Sequence, residues 1–217
     1  MKANPALFFD QILTGVEREV MAQLDSPGKI QAFLDQLSYS PEETYRCPLR
    51  VLRDRTAHCF DGALFAAAAL WRLGHPPLIM ELLPNDRDDD HLLALYKRSG
   101  HWGALAQSNF VGLRFRDPVY RSLHELVMSY FEQFYNVERE KTLRAYTRPL
   151  SLEAYDDQWM VDDRLLEKIS ERLDRIRRYS LITESMAAEL SPLDERSYQA
   201  GLLGANEKGL YRPDRKA

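Results

Sequence analysis

The stretch Cys59-Phe60-Asp61-Gly62-Ala63-Leu64-Phe65-Ala66-Ala67-Ala68-Ala69-Leu70-Trp71-Arg72-Leu73 decides the fold. From Phe60 to Leu73 it is apolar nearly all round and runs through four consecutive alanines. A helix of that composition is enclosed on every side. The alanines let neighbouring elements approach its backbone. Gly74-His75-Pro76-Pro77 stops it, because glycine ends a helix readily and proline cannot continue one.

Downstream, Leu78 to Leu83, His91 to Lys97 and Trp102 to Gln107 read as three short strands. Arg98-Ser99-Gly100-His101 reads as the hairpin turn between the last two, which makes that pair antiparallel. Upstream, Leu7, Ile12, Val16, Val20 and Leu24 form a helical stripe. Ser26-Pro27 then opens a short helix carrying Ile30, Phe33, Leu34 and Leu37. Ser38 to Thr56 is polar, contains Pro41 and Pro48, and reads as loop with one or two helical turns. Towards the C-terminus, Asp117-Pro118 reads as a cap and first-turn proline for Leu123, Leu126, Val127, Tyr130, Phe131 and Phe134. Asp162 and Asp163 open a further helix with Leu166, Ile169, Leu173 and Ile176 inside. Its end at Arg175, Arg177 and Arg178 reads as a solvated terminus that complements the helix dipole. The tail from Pro213 to Ala217 reads as disordered.

With 217 residues, 45% hydrophobic and 29% charged, the chain reads as one globular domain. Its core spans about 40–118, with helical extensions over 5–38 and 118–205. The net charge of −4 offers no basic field for nucleic acid. The apolar block Gly62 to Trp71 is far shorter than the roughly 18 residues of a membrane span. The N-terminus holds no signal-peptide apolar region, and two cysteines make no disulfide framework. A cytoplasmic location with no membrane partner is the expectation.

Cys59 stands where the loop ends and the enclosed helix begins. Unpaired backbone N–H groups and the dipole favour a thiolate there. His91 opens a strand after the acidic loop Asn85-Asp86-Arg87-Asp88-Asp89-Asp90. A nucleophilic thiol needs such an imidazole to take and return its proton. Cys47 has no comparable placement and reads as structural. Asp86, Asp88 and Asp90 have the spacing of a calcium loop, but His91 stands where glycine is needed and Lys97 where glutamate is needed. The cysteines and histidines give no zinc spacing, so no metal and no cofactor is expected. The acidic loop reads as a solvated rim that favours basic or amine-bearing substrates.

The run from His58 to Pro77, with His91 and Trp102 after it, resembles the transglutaminase-like superfamily. In that family a nucleophilic cysteine begins a small-residue helix ending in Leu-Gly and a proline turn. A strand follows, then a histidine at the start of the next strand, then a tryptophan ahead of the third catalytic residue. The resemblance covers about Arg55 to Asn109. It implies an α+β, papain-like core: a central buried helix against a small antiparallel sheet, with additional N- and C-terminal helices. It further implies cysteine-dependent acyl transfer, or amide or ester hydrolysis, through a thioester on Cys59, with His91 as base and then acid. One oxyanion hydrogen bond would come from the Cys59 backbone N–H. The family's usual aspartate falls on Ala106, which cannot orient an imidazole. Gln107, Ser108 and Asn109 lie nearby. Asn109 is the choice, since an amide oxygen can accept the histidine N–H, and Asp117 is assigned to capping. Substrates would be a protein or peptide, or a small amide or amine. Loss of the aspartate is also what a catalytically inactive interaction module would show.

Overall fold

A computed structural model describes residues 5–42, 44–155 and 157–212, with side chains from Phe8 onward. The expected tail over 213–217 lies outside the described residues. The N-terminal stripe forms two helices, α1 (Pro5–Ile12) and α2 (Gly15–Gln23). They are separate because Thr14 and Glu17 make a reciprocal capping box that starts a new helix within the periodic pattern. Helix α3 (Pro27–Leu34) begins at the expected proline. The polar loop holds a strand, β1 (Ser38–Tyr39), helix α4 (Pro48–Asp54) and strand β2 (Thr56–Ala57), which pairs parallel to β1.

Helix α5 (Cys59–Arg72) is the centre of the molecule. Every residue from Phe60 to Leu70 is buried, and Ala66 to Ala69 are at most 1% exposed. Strand β3 (Leu78–Pro84) follows, then β4 (His91–Arg98) and β5 (His101–Leu105). Ser99 and Gly100 join β4 to β5 with φ of 50° and 80°. Positive φ at both central residues matches the twist of a two-residue hairpin.

The sheet is larger than the sequence suggests. Strands β6 (Arg116–Tyr120), β7 (Leu143–Thr147) and β9 (Arg178–Ser180) extend it to the order β6-β5-β4-β3-β7-β9. A short β8 (Leu150–Ser151) also pairs with β3. The sheet's named pairings are all antiparallel. Three sequence expectations are thereby corrected. Asp117-Pro118 lies inside β6 rather than capping a helix, because β6 completes the edge of β5. The stripe after it breaks into α6 (Leu123–Met128) and a 3₁₀ turn at Phe131–Gln133. The C-terminal extension therefore mixes strands with helices α7 (Leu166–Asp174), α8 (Glu184–Ala188) and α9 (Glu195–Gly201). Arg175 and Arg177 follow the end of α7, and Arg178 begins β9.

Strand alternation divides the core into two layers. Ile79, Leu92, Ala94 and Tyr96 face α5 and the N-terminal helices. Met80, Leu82, Leu93 and Leu95 face a second layer with Tyr130, Phe131 and Phe134. That layer explains the broken stripe: those aromatics pack on the back of the sheet. No described helix is long and apolar enough to cross a membrane.

The alanine run is buried in the core, so larger side chains there must displace their neighbours. Ala67→Leu and Ala68→Leu are each expected to lower unfolding free energy by about 1–3 kcal/mol through overpacking. Urea unfolding checks this, and two neutral substitutions would contradict the enclosure of α5.

Candidate active site

The start of α5 is fixed before Cys59 is placed. Asp61 is wholly buried in the first turn. One of its carboxylate oxygens accepts the Arg46 backbone N–H at 2.7 Å, and the other accepts the His58 backbone N–H at 3.4 Å. The His58 ring nitrogen Nδ1 accepts the Phe60 N–H at 3.2 Å. These bonds satisfy helix-start donors inside the protein, where water does not reach them. Burial pushes the Asp61 carboxyl up to about 7, against the lowering by the Arg46 and His58 N–H groups and the Arg46 guanidinium. Burial pushes the His58 imidazole down to about 4, and Arg46 adds to that.

Cys59 is the first residue of α5 and is partly exposed. Its sulfur donates to the Asp90 carbonyl at 3.9 Å, so the thiol lies over the start of β4. Burial pushes the thiol well up, and the Asp90 and Asp89 carboxylates push the same way. The Leu92 N–H opposes them. The buried Glu81 of β3 lies near Asp90, and its carboxyl is raised by burial and by that neighbour. Burial, reinforced by the acidic loop, therefore outweighs the helix start at the thiol.

His91 is the first residue of β4 and is 4% exposed. Its Nε2 bonds the Leu113 carbonyl oxygen at 2.8 Å. A carbonyl only accepts, which assigns the proton to Nε2 and leaves Nδ1 as acceptor. The ring stands edge-on to Phe134, with centroids 6.4 Å apart. Burial pushes the imidazole down to about 4 despite the Leu113 carbonyl, and Arg116 adds to the lowering.

Cys59, His91 and Asn109 line one cleft, together with Tyr39, Asp88, Asp89, Asp90, Ser108 and the C-terminal Gly209 and Tyr211. Asn109 does not play the part the sequence suggested. Its Nδ2 donates to the Asn206 carbonyl at 2.8 Å, and its Oδ1 accepts the Asn206 N–H at 2.7 Å. Both ends of the amide thus serve the C-terminal segment, and the imidazole is oriented by the Leu113 backbone. The neighbours are committed elsewhere. Ala106 is bonded through its backbone to Gln31, Gln107 reaches the Leu37 carbonyl, and Ser108 caps the Phe110 N–H. Asp117 is exposed on β6.

Two contributors escaped sequence reasoning. Tyr39 reaches the site because β1 runs parallel to β2, with Tyr39 opposite Ala57. Burial pushes its hydroxyl well up, the nearby Cys59 thiol and Asp89 carboxylate push the same way, and the Cys59 backbone N–H opposes them. The segment from Asn206 to Tyr211 arrives from the far end of the chain. Neither carries a local motif.

No family model and no curated protein matches the chain. Among solved structures it is similar to Legionella pneumophila LapG, with 14% identity, a TM-score of 0.40, and 78% of this chain and 94% of that one covered. The EGTA-treated form of the same protein gives 14% identity and a TM-score of 0.34 over 48% of this chain and 68% of that one. Likenesses of that size leave fold and chemistry to be argued from the chain itself.

The electrostatics fix a direction for reactivity. A thiol held above its ordinary value is protonated at neutral pH, and its reactive fraction grows as pH rises towards that value. Replacing a nearby carboxylate with an amide removes repulsion against the thiolate and lowers the thiol's pKa. Asp89→Asn with Asp90→Asn is expected to speed iodoacetamide alkylation of Cys59 at pH 8 by about threefold or more. Rapid alkylation of the unaltered protein well below pH 8 would contradict the raised thiol.

Proposed function

We propose that the chain performs cysteine-dependent acyl transfer or amide or ester hydrolysis, with a transglutaminase-like arrangement of nucleophile and base. The observation that carries this reading is the shared cleft: the first residue of the enclosed helix and the first residue of its neighbouring strand are a thiol and an imidazole. The substrate is a protein or peptide, or a small amide or amine.

Both groups start neutral. His91 Nδ1 takes the thiol proton as the Cys59 sulfur bonds the carbonyl carbon of the substrate. Nε2–H stays on the Leu113 carbonyl, which orients the ring and stabilises the imidazolium as it forms. The carbonyl oxygen becomes an oxyanion, and the Cys59 backbone N–H donates to it. The carbon–heteroatom bond then breaks, and His91 returns its proton to the departing amine or alcohol. A thioester remains on Cys59. Water gives hydrolysis; an amine gives transfer.

A second reading keeps the cleft and drops the chemistry. It is favoured by the Cys59 sulfur bonding to the Asp90 carbonyl, with the thiol held protonated. A peptide thioester assay separates the two. Under the catalytic reading Cys59→Ala and His91→Ala each reduce turnover by about 10² or more while thermal unfolding is retained. Under the binding reading no Cys59-dependent turnover appears. Full turnover in His91→Ala would overturn the assigned base.

A further inference from the structure

Asn109 meets Asn206 in a way that reads backbone alone. One carboxamide donates to the C=O and accepts from the N–H of a single residue. Any peptide unit in the same conformation offers that pair of groups, whatever its side chain. The contact is shielded, since Asn109 is 5% exposed. A second point of attachment lies beside it: the Asn206 side-chain amide donates to the Tyr39 carbonyl at 3.0 Å.

Three residues on, the fit becomes steric. Gly209 closes a 3₁₀ turn, Glu207–Gly209, against the ring of Tyr39. A Cβ added at Gly209 would stand 2.7 Å from Tyr39 Cδ1 and 3.0 Å from Cε1, with Asn109 Nδ2 at 3.4 Å. No side chain fits there unless the tyrosine moves. Gly209 and Tyr211 then form part of the wall around Cys59 and His91. Upstream, Gly201 at the end of α9 lies against the Tyr135 hydroxyl, which holds the start of the strap on another cleft residue.

We propose that Asn109 and Tyr39 form a peptide clamp at the mouth of the Cys59 cleft, and that residues 206–211 of the chain itself occupy it. A peptide bound in trans takes the strap's place: Asn109 holds one backbone unit, and a glycine passes the Tyr39 ring. The clamp makes peptides the substrate class, in preference to small amides or amines. It also makes release of the strap the step that admits substrate. This assignment rests on the acyl-transfer reading only for the fate of the bound peptide; the clamp itself is a binding device.

The test uses the full chain carrying Asn206→Pro and Gly209→Val. Asn206 has φ of −85°, close to the range proline adopts, and the first change removes the N–H and the side-chain amide. The second places a branched side chain against Tyr39. Iodoacetamide alkylation of Cys59 at fixed pH is expected to rise by about tenfold or more, with freely exchanging amides over 207–211 and unchanged thermal unfolding of the core. A synthetic peptide of residues 204–212 is expected to bind this variant, slow alkylation again, and lose binding when Asn109→Ala is added. Unchanged alkylation with exchanging strap amides would overturn the cover. Protected strap amides would overturn the clamp as what holds it. A peptide that fails to bind, or that binds equally without Asn109, would overturn the clamp as a peptide site. If these binding results hold and no Cys59-dependent turnover follows, the acyl-transfer reading fails and the clamp stands.

Discussion

The molecule depends on one constraint: a helix with almost no polar face must be enclosed, and its starting N–H groups must be satisfied without water. Helix α5 meets the first half by lying between the sheet and the helices α1, α3 and α4. Asp61 meets the second. With zero exposure it ties the His58 and Arg46 backbones to the first helical turn. Cys59 is held by that knot, one residue after His58 and two before Asp61. The place of Cys59 is thus a by-product of capping a buried helix. β4 packs directly on α5, so His91 at the strand's start is carried to the same end of the molecule.

The same enclosure shapes the electrostatics. A helix start favours anions, yet burial and the Asp89 and Asp90 carboxylates outweigh it at Cys59. His91, more deeply buried, is kept neutral by that burial, with Arg116 adding to it. The thiol and the imidazole thus line one cleft as neutral groups. The C-terminal strap forms part of the wall of that cleft, bonded to Asn109 and packed on Tyr39.

What the sequence disclosed follows from how local each signal is. The apolar run Phe60 to Leu73, the Gly74 stop and the Ser99-Gly100 turn act within a few residues, and the elements appear where expected. The helix-start position of Cys59 and the strand-start position of His91 were legible for the same reason. Failures arose where distant chain segments decide. Asp117-Pro118 carries a helix-start signature, but the edge of β5 draws it into β6. Tyr130, Phe131 and Phe134 keep helical spacing, yet the back of the sheet needs them, and the helix stops at Met128. The partner of His91 is a backbone carbonyl at Leu113, which any residue type supplies, so no side chain announces it. Asn109 was expected to hold the imidazole; it lines the cleft, but its amide bonds the backbone of Asn206, 97 positions away.

The claim that joins these observations is that Cys59 and His91 act together on an acyl group. Trapping the acyl-enzyme tests it most directly. The protein is mixed with a peptide thioester, quenched in acid, and its intact mass and digest are read by mass spectrometry. The account predicts a thioester adduct confined to Cys59, removed by hydroxylamine, absent in Cys59→Ala and strongly reduced in His91→Ala. An adduct that forms equally well in His91→Ala, or that sits on Cys47, would contradict it.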